Sequence, residues 1–366
     1  MRVLQVIDSL PLAGAEVLVK DMAPRLRARG IDCAVAVLRT LSSPLETAVE
    51  ESGVKLYHTQ VGKLYSPAQV FPLAKLIESY DVVHVHLFPA QLWAVLAAYR
   101  FSRRLSLVTT EHNPWNARRR WWVRPLDRWM YPHYQRIACN SEATLDELRQ
   151  WCPGIATKLC IIPNGIPLEN FEDAQPAELA APPAGMARLV FVARFQPQKD
   201  HATLLRALAQ VPQAQLLLVG DGELRTQLEA MARSLCITDR VVFLGRRTDV
   251  AGVLKASDVY VHSTHSDGFG IAACEAMAAG LPVIASDVPG LAELVRGAGV
   301  LFPVGDDHAL ARELTAVLSS PQRWREMSAA SQQRAKCFSI EKTVDAYVEM
   351  YESVSQPSRQ EAGVTT

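Results

Sequence analysis

The turn that contains Gly268 and Gly270 joins an apolar strand to a helix, and it carries the most informative chemical groups of the chain. Glycines let a backbone approach a ligand closely, and the free N–H groups at the start of a helix favour phosphate. Asp267 opens the turn. Glu275 lies eight residues later, in the second turn of the helix, where a carboxylate can accept two hydrogen bonds from a vicinal diol. The alternative is a solvated turn with an ordinary surface glutamate, which the apolar surroundings of Glu275 disfavour.

Two cations, Arg194 and Lys199, follow the first apolar strand of the second half of the chain. Cations at a strand end, close to the start of a helix, can neutralise a departing diphosphate. The alternative is a pair of ordinary surface charges. Gly14 stands at the start of the first predicted helix, where the backbone can likewise approach a phosphate. No G-x-G-x-x-G is present in this region, which argues against a nicotinamide site.

A histidine, His112, comes just after a predicted strand of the first half, where it can hydrogen-bond a ligand or help to polarise a transition state. A lone histidine is more often structural, but the strand-end position favours function. His84 and His86 alternate along another strand and share one face, so we interpret them mainly as packing and network residues. Metal ligation by these two stays open, although no third ligand is evident.

Together these segments resemble the family-four retaining glycosyltransferases, which have the GT-B fold. Asp267 and Glu275 match the two acidic positions of the family signature, although the family has Glu at the first. The resemblance implies that His112, Asp267, Arg194 and Lys199 act on the reacting sugar and its diphosphate. The donor-binding residues that it implies are Gly14, Arg194, Lys199, Phe243, Leu244, Asp267, Gly268, Phe269, Gly270, Ile271 and Glu275.

The donor that the resemblance implies is a nucleotide-diphospho-sugar. Glu275 is then expected to hold the hydroxyls of its ribose, and Asp267 to contact hydroxyls of its sugar. We expect no cofactor and no metal, because the chain contains no Asp-x-Asp and basic residues can replace a cation. The acceptor hydroxyl attacks as the diphosphate leaves. Two alternatives remain at this point, a nucleotide-sugar 2-epimerase of the same fold and a non-catalytic nucleotide-sugar-binding subunit.

The elements that position these groups alternate between short apolar runs and amphipathic stretches, which predicts parallel sheets and βαβ units. The 366 residues suffice for two domains. We predict an α/β protein of the GT-B type, with two Rossmann-like domains facing across a cleft that holds the site. The predicted parts are an acceptor domain over 1–170, a linker over 171–187, a donor domain over 188–339, a helix over 340–354 that packs back on the first domain, and a flexible tail over 355–366.

The composition further narrows the class of protein to which the chain can belong. Hydrophobic residues make up 49% of the chain and charged residues 21%, a globular profile. Lys plus Arg equals Asp plus Glu at 38 each, which argues against a nucleic-acid partner. The N-terminus does not read as a signal peptide and no apolar run reaches transmembrane length, so we expect a cytoplasmic protein.

Residues 115–136 mix six arginines with four of the seven tryptophans of the chain. Cationic and aromatic groups at one surface suit an anionic bilayer interface, or a lipid-linked acceptor. This predicts peripheral attachment to the inner face of the cytoplasmic membrane, with Arg118, Arg119 and Arg120 as free cations. The alternative is an ordinary helix whose tryptophans lie in the core.

Overall fold

The protein is described by a computed structural model, which covers residues 1–99, 105–114 and 119–355. The chain divides into two compact units. Unit 1 contains Met1–Gly165 together with the C-terminal residues from Ile340, and unit 2 contains Ile166–Ser339. Among the described helices, none combines the length and the apolar character that crossing a bilayer requires.

Unit 1 is built on a seven-stranded parallel sheet with the strand order β3-β2-β1-β4-β5-β6-β7. Its strands are β1 (Arg2–Ile7), β2 (Asp32–Val37), β3 (Lys55–His58), β4 (Val82–His86), β5 (Ser106–Glu111), β6 (Arg136–Cys139) and β7 (Leu159–Ile161). The order reverses between β1 and β4. In sheets of this kind ligands bind beyond the carboxyl ends of the strands at such a reversal, or switch point.

Unit 2 is built on a six-stranded parallel sheet with the order β10-β9-β8-β11-β12-β13. Its strands are β8 (Ala187–Val192), β9 (Ala214–Val219), β10 (Val241–Gly245), β11 (Val259–His262), β12 (Val283–Ser286) and β13 (Val300–Phe302). The switch point lies between β8 and β11, which pair through Val259 and Leu189. The prediction of two parallel Rossmann-like sheets is confirmed.

Helices connect the strands, as parallel pairing requires. Along the chain they are α1 (Gly14–Ala28), α2 (Pro44–Glu51), α3 (Val70–Ile77), α4 (Ala90–Ala98), α5 (Arg124–Met130), α6 (Glu142–Trp151), α7 (Glu169–Glu172), α8 (His201–Ala209), α9 (Arg225–Ser234), α10 (Val250–Lys255), α11 (Ile271–Ala278), α12 (Leu291–Val295), α13 (Asp307–Leu318), α14 (Pro321–Ala335) and α15 (Ile340–Ser355). Helix α15 belongs to unit 1, where Val344, Tyr347 and Tyr351 are buried in one apolar cluster with residues of β1 and α1.

The chain enters unit 2 at Ile166, before the stretch 171–187 in which the sequence predicts a linker. Parts of that stretch hydrogen-bond within unit 2. The Ala177 N–H donates to the Gly252 carbonyl at 2.8 Å, and the Arg188 guanidinium donates to the Ala180 carbonyl at 2.6 Å. The predicted tail after residue 355 lies outside the described residues.

Candidate active site

The candidate groups of unit 2 converge on the switch point between β8 and β11. Arg194 and Lys199 follow β8, and Asp267 follows β11. Because adjacent parallel strands end at the same edge of the sheet, Lys199 and Asp267 come into contact although 68 positions separate them, and Arg194 follows β8 at that same edge. The convergence is the arrangement expected of a ligand site in a sheet of this topology.

The carboxylate of Asp267 is engaged on every side by protein donors. Its Oδ2 lies 2.5 Å from Lys199 Nζ and 3.1 Å from His262 Nε2. Its Oδ1 accepts hydrogen bonds from the backbone N–H groups of Phe269 at 3.2 Å and Gly270 at 2.9 Å. A carboxylate offers about four acceptor positions, and these four donors occupy them. Asp267 therefore fixes Lys199 and the start of α11 at the same time.

The protonation states of Asp267 and His262 follow from their burial and from the charge of Lys199 beside them. Burial favours the neutral form of the Asp267 carboxyl, but the Lys199 ammonium and the hydrogen bond from His262 outweigh it and hold the pKa of Asp267 well below its usual range. Burial lowers the pKa of His262, against the opposing effect of Asp267. Asp267 is thus an anion paired with a cation, and His262 is a neutral hydrogen-bond donor.

The turn before α11 depends on glycines. Gly270 has φ +86°, and a Cβ there would lie 2.5 Å from Leu291 Cδ1. A Cβ on Gly290 would lie 2.5 Å from the Gly268 carbonyl oxygen, so the loop after β12 packs directly on the turn. The amides of Ile271 and Ala272 precede the first hydrogen bond of α11, which the Ala273 N–H donates to the Gly270 carbonyl at 2.9 Å, and they carry the positive end of the helix dipole. Amides in this position attract an anion.

The remaining donor-site predictions fall around the same edge of the sheet. Glu275 lies one turn into α11 and is partly buried. Arg194 is exposed, and its guanidinium has no hydrogen-bond or ion-pair partner among the described residues. Phe243 and Leu244 lie half-buried near the end of β10, the outermost strand beyond β9, and the Phe243 ring packs edge-on against Phe195 with 6.1 Å between the ring centroids.

In unit 1, the two predicted site residues stand beside different elements: Gly14 begins α1 and His112 follows β5. Gly14 is the first residue of α1, and the extended Ala13 before it provides no side-chain cap. His112 follows β5 by one residue, and its Nε2 lies 3.2 Å from His86 Nδ1. Burial lowers the pKa of His112 to about 4, against a raising effect of Glu111, so its imidazole is neutral. Its Nδ1 is buried and has no hydrogen-bond partner among the described residues.

Two histidines of unit 2 were not predicted as part of the site. His262, the last residue of β11, bonds Asp267, and its Nδ1 lies 3.2 Å from the Tyr260 hydroxyl. His201, the first residue of α8, is buried between the Phe191 and Phe195 rings, and its pKa is lowered to about 3, mainly by burial. The strand-end position of His262 is a signal that the sequence does contain.

One expectation for the basic aromatic segment is wrong. Arg119 is not a free cation, because its guanidinium lies 3.1 Å from Glu111 Oε2 and donates to the Pro114 carbonyl, with both charged side chains nearly buried. Glu111 ends β5 inside the fold and requires a counterion there. The aromatic part of the segment is accessible, since Trp121 is 81% exposed, Trp122 53% and Trp129 39%. Trp115 and Arg118 lie outside the described residues.

Metal ligands form no cluster in the part of the chain that the structure describes: no three His, Cys, Asp or Glu side chains are placed together as a metal site would require.

Sequence comparisons identify the class. Residues 12–170 match the family described as Glycosyltransferase Family 4, and residues 180–334 match Glycosyl transferases group 1. The D-inositol 3-phosphate glycosyltransferase of Geodermatophilus obscurus is 32% identical over 94% of this chain and 85% of its own length. The chain therefore belongs to glycosyltransferase family four and has the GT-B fold.

Other relatives and solved structures agree with this class. The phosphatidyl-myo-inositol mannosyltransferase of Mycobacterium leprae is 28% identical over 93% of each chain. The crystal structure of HepE from Anabaena in complex with UDP has a TM-score of 0.83 at 22% identity, covering 96% of this chain and 100% of HepE. WaaG, a glycosyltransferase involved in lipopolysaccharide biosynthesis, has a TM-score of 0.71 at 17% identity, covering 97% and 100%.

Proposed function

We propose that the protein is a retaining glycosyltransferase that moves a sugar from a nucleotide-diphospho-sugar to a hydroxyl of a glycan or lipid-linked acceptor. Family membership supplies the class of reaction. The observation that carries the donor assignment is that Asp267 links Lys199 to the N-terminus of α11 at one switch point, with Arg194 following β8 at the same edge of the sheet. Two cations together with the first amides of α11 suit the negative charge of a diphosphate. Few other ligand groups of that size carry as much negative charge.

In this proposal different residues of unit 2 bind different parts of the donor. Glu275 accepts hydrogen bonds from the ribose hydroxyls, and the backbone of Phe243 and Leu244 contacts the base. Arg194, Lys199 and the Ile271 amide hold the diphosphate. Asp267 has no acceptor position left for a sugar hydroxyl while Lys199 and His262 occupy it, so it acts first by positioning Lys199.

The family resemblance assigns Gly14 to the phosphates and His112 to the reacting sugar. The bond from the anomeric carbon to the diphosphate oxygen breaks, and a bond from that carbon to the acceptor oxygen forms on the same face of the sugar. The proton of the acceptor hydroxyl passes to the departing phosphate oxygen. Arg194 and Lys199 compensate the charge that develops there, which is the task a metal performs in other enzymes.

The comparisons suggest which substrates to test first. HepE was crystallised with UDP-glucose, so UDP-sugars are the first donors. The relatives named above act, by their names, on inositol phosphate and phosphatidyl-myo-inositol, and another is a lipopolysaccharide core glycosyltransferase of Rhizobium meliloti. Assembly of a bacterial surface polysaccharide or glycolipid is therefore the role we propose, with the exposed aromatic segment of unit 1 resting on the membrane that carries the acceptor.

A two-stage experiment tests the proposal. Thermal unfolding is first recorded with UDP-, GDP- and ADP-sugars, since a ligand at 100 times its Kd adds about 2.7 kcal/mol of stability. Release of free nucleotide diphosphate is then measured with and without acceptor. A transferase releases it in proportion to acceptor. An epimerase converts the donor without acceptor, and a binding subunit gives the stability shift without turnover, so either result contradicts the proposal.

A further inference from the structure

A continuous relay of side-chain hydrogen bonds runs through unit 1 from His112 to helix α15. Its links are His112 Nε2 to His86 Nδ1 at 3.2 Å, His86 Nε2 to Gln5 Oε1 at 2.8 Å, Gln5 Nε2 to Tyr351 OH at 3.0 Å, Tyr351 OH to His84 Nδ1 at 2.7 Å, His84 Nε2 to Thr110 Oγ1 at 2.7 Å, and Thr110 Oγ1 to Tyr347 OH at 2.9 Å. Apart from His112, every member is fully or almost fully buried. A buried polar network of this length is stable only when its members satisfy one another.

The three histidines of the relay are neutral. Burial lowers the pKa of His84 and His86 well below the usual value, and that of His112 to about 4. A neutral imidazole has one N–H and one bare nitrogen, so a histidine between two partners donates to one and accepts from the other. The direction of one hydrogen bond in the relay therefore determines the direction of the next.

Gln5 sets that direction, because its carboxamide oxygen faces His86 and its NH2 group faces Tyr351. The oxygen can only accept, so His86 carries its hydrogen on Nε2 and its Nδ1 is bare. The bare nitrogen needs a donor, which is the Nε2–H of His112. His112 Nδ1 is then the bare nitrogen. It is also the atom that has no partner among the described residues, so an acceptor is left at the end of the relay.

We propose that helix α15, acting through Tyr351 and Gln5, fixes His112 in the Nε2–H tautomer, so that its Nδ1 accepts a hydrogen bond from a substrate hydroxyl. This inference rests on the proposed function, which places His112 beside the reacting sugar. Tyr351, Gln5 and His86 are positioning residues, and His112 alone touches the substrate. The opposite tautomer would present an N–H at the same place and could not receive a hydroxyl hydrogen.

Two tyrosines of α15 provide a test with a matched control. Tyr351→Phe removes the acceptor of the Gln5 NH2 group and the donor to His84, so the carboxamide loses the contact that orients it. Tyr347→Phe is the same substitution one turn earlier. Tyr347 is equally buried, and its ring lies 5.0 Å from that of His84, against 5.6 Å for Tyr351. Its hydroxyl meets the relay beyond His84, so both partners of Gln5 remain.

The tautomer is measured in the free enzyme by 15N NMR of the imidazole nitrogens, with His112→Gln used to assign the His112 signals. We expect the Nε2–H form in the wild type and in Tyr347→Phe, and a mixture of both forms in Tyr351→Phe. An Nδ1–H form in the wild type, or a Tyr351→Phe spectrum identical to that of the wild type, overturns the inference.

Kinetics separate this inference from the proposed function. When only a fraction of the free molecules has the competent tautomer, the apparent affinity for the donor falls by that fraction, so Tyr351→Phe should lose about twofold to tenfold in kcat/KM for the donor. Tyr347→Phe should stay within about twofold of the wild type, because its His112 tautomer is unchanged. The expected NMR result without any acceptor-dependent turnover overturns the proposed function and leaves the tautomer assignment intact. Turnover that is insensitive to Tyr351→Phe, with the tautomers mixed, overturns the role of the tautomer.

Discussion

Lys199 Nζ lies 2.5 Å from Asp267 Oδ2, so the cation assigned to the donor diphosphate is held by the acidic residue of the signature turn. The same carboxylate accepts from the first amides of the turn, which places the two positive features of the site at a fixed distance from each other. The pair is largely shielded from water, since its side chains are 22% and 14% exposed. Breaking it leaves an uncompensated charge, which is more costly than removing both partners.

The first prediction concerns this pair. Asp267→Asn keeps the size of the side chain but removes the charge that holds Lys199, so activity should fall sharply, by about 100-fold or more. Asp267→Glu restores the residue typical of the family and keeps the charge, so its activity should stay within about tenfold of the wild type. Initial rates at saturating donor measure both. If the two variants behave like the wild type, Asp267 neither positions Lys199 nor contacts the donor.

A double-mutant cycle checks the same relationship without substrate. Asp267→Asn and Lys199→Met should each destabilise unit 2 by about 2 to 4 kcal/mol, since each leaves the other group unpaired. The double variant should be more stable than the sum of the two effects by about 1 kcal/mol or more. Denaturant unfolding gives the three differences, and strict additivity would mean that the two side chains do not interact in solution.

The second prediction concerns Glu275. Glu275→Ala removes an ionised acceptor of two ribose hydrogen bonds, each worth roughly 1.5–3 kcal/mol, so calorimetry with the donor should show at least about a tenfold weaker Kd. Glu326→Ala, an exposed glutamate on α14, serves as the control and should leave the Kd unchanged. A 2′-deoxyribose donor should bind the wild type more weakly than the normal donor but lose little further in Glu275→Ala. Unchanged affinity in Glu275→Ala rules out the ribose assignment.

The third prediction concerns the diphosphate. Arg194 is exposed and has no protein partner among the described residues, so Arg194→Ala should fold normally and lower kcat more than it raises the donor Kd, because its charge matters most as the diphosphate leaves. Arg233→Ala on α9 is the matched control.

EDTA should leave wild-type turnover intact. Activity that disappears with EDTA and returns with Mg²⁺ or Mn²⁺ would show that a metal, and not these cations, carries the charge.

Much of this site was predictable because its positions are encoded locally. The apolar runs 188–193 and 259–263 predict strands that agree with β8 and β11 to within one residue at each end, and glycines mark the start of α11. Elements with a weaker pattern of apolar residues, both strands and helices, were not predicted. The edge strand β3 has no fully buried residue, and α3 is preceded by a long stretch without periodicity. Local patterns therefore place the site but not every element around it.

Partners across the fold could not be predicted. The contact of Lys199 with Asp267 depends on how β8 and β11 lie side by side, and no local pattern in the 67 residues between them predicts that contact. Arg119 looks like its neighbours in a run of arginines. Its burial follows from Glu111, whose carboxylate also accepts from Tyr131 and Gln91 at 2.7 Å and is enclosed by the fold. A charge pair is a tertiary property, so a single sequence leaves it open.

The fourth prediction concerns Asp8, which follows β1 and accepts a hydrogen bond from the Ala90 N–H at 2.8 Å. Burial, with a smaller contribution from Glu16, raises its pKa from 3.8 to about 7. The fold therefore favours the protonated form, and this contribution to stability is complete below pH 3.8 and is lost as the pH rises through 7. Between pH 5 and pH 8 the wild type should lose about 2 to 3 kcal/mol relative to Asp8→Asn.

Unfolding of both proteins over this pH range measures the difference, and comparison with Asp8→Asn cancels the opposite contribution of the buried histidines. Asp146→Asn, on the exposed face of α6, is the control and should parallel the wild type. Parallel curves for Asp8→Asn and the wild type would mean that Asp8 is ionised throughout.

The last prediction concerns the exposed Trp121 and Trp122, with the Arg120 guanidinium 5.1 Å from the centre of the Trp122 ring, and the exposed Arg128 of the same segment. Each cation near an anionic bilayer is worth about 1 kcal/mol, and tryptophans at the interface add apolar burial. Since Arg119 is occupied by Glu111, the attachment should be weak, reversible and sensitive to salt.

Co-sedimentation with liposomes that contain anionic lipid tests this at low and high salt. The wild type should pellet at low salt and be released at high salt. Arg120→Ser/Arg128→Ser should stay in the supernatant, and so should Trp121→Ser/Trp122→Ser, yet both should keep the donor Kd because none of these four residues is among the proposed donor-binding residues. Arg233→Ser/Arg312→Ser removes the same charge from exposed positions of unit 2 and should pellet like the wild type. If the wild type remains in the supernatant under every condition, these tryptophans instead serve a soluble acceptor.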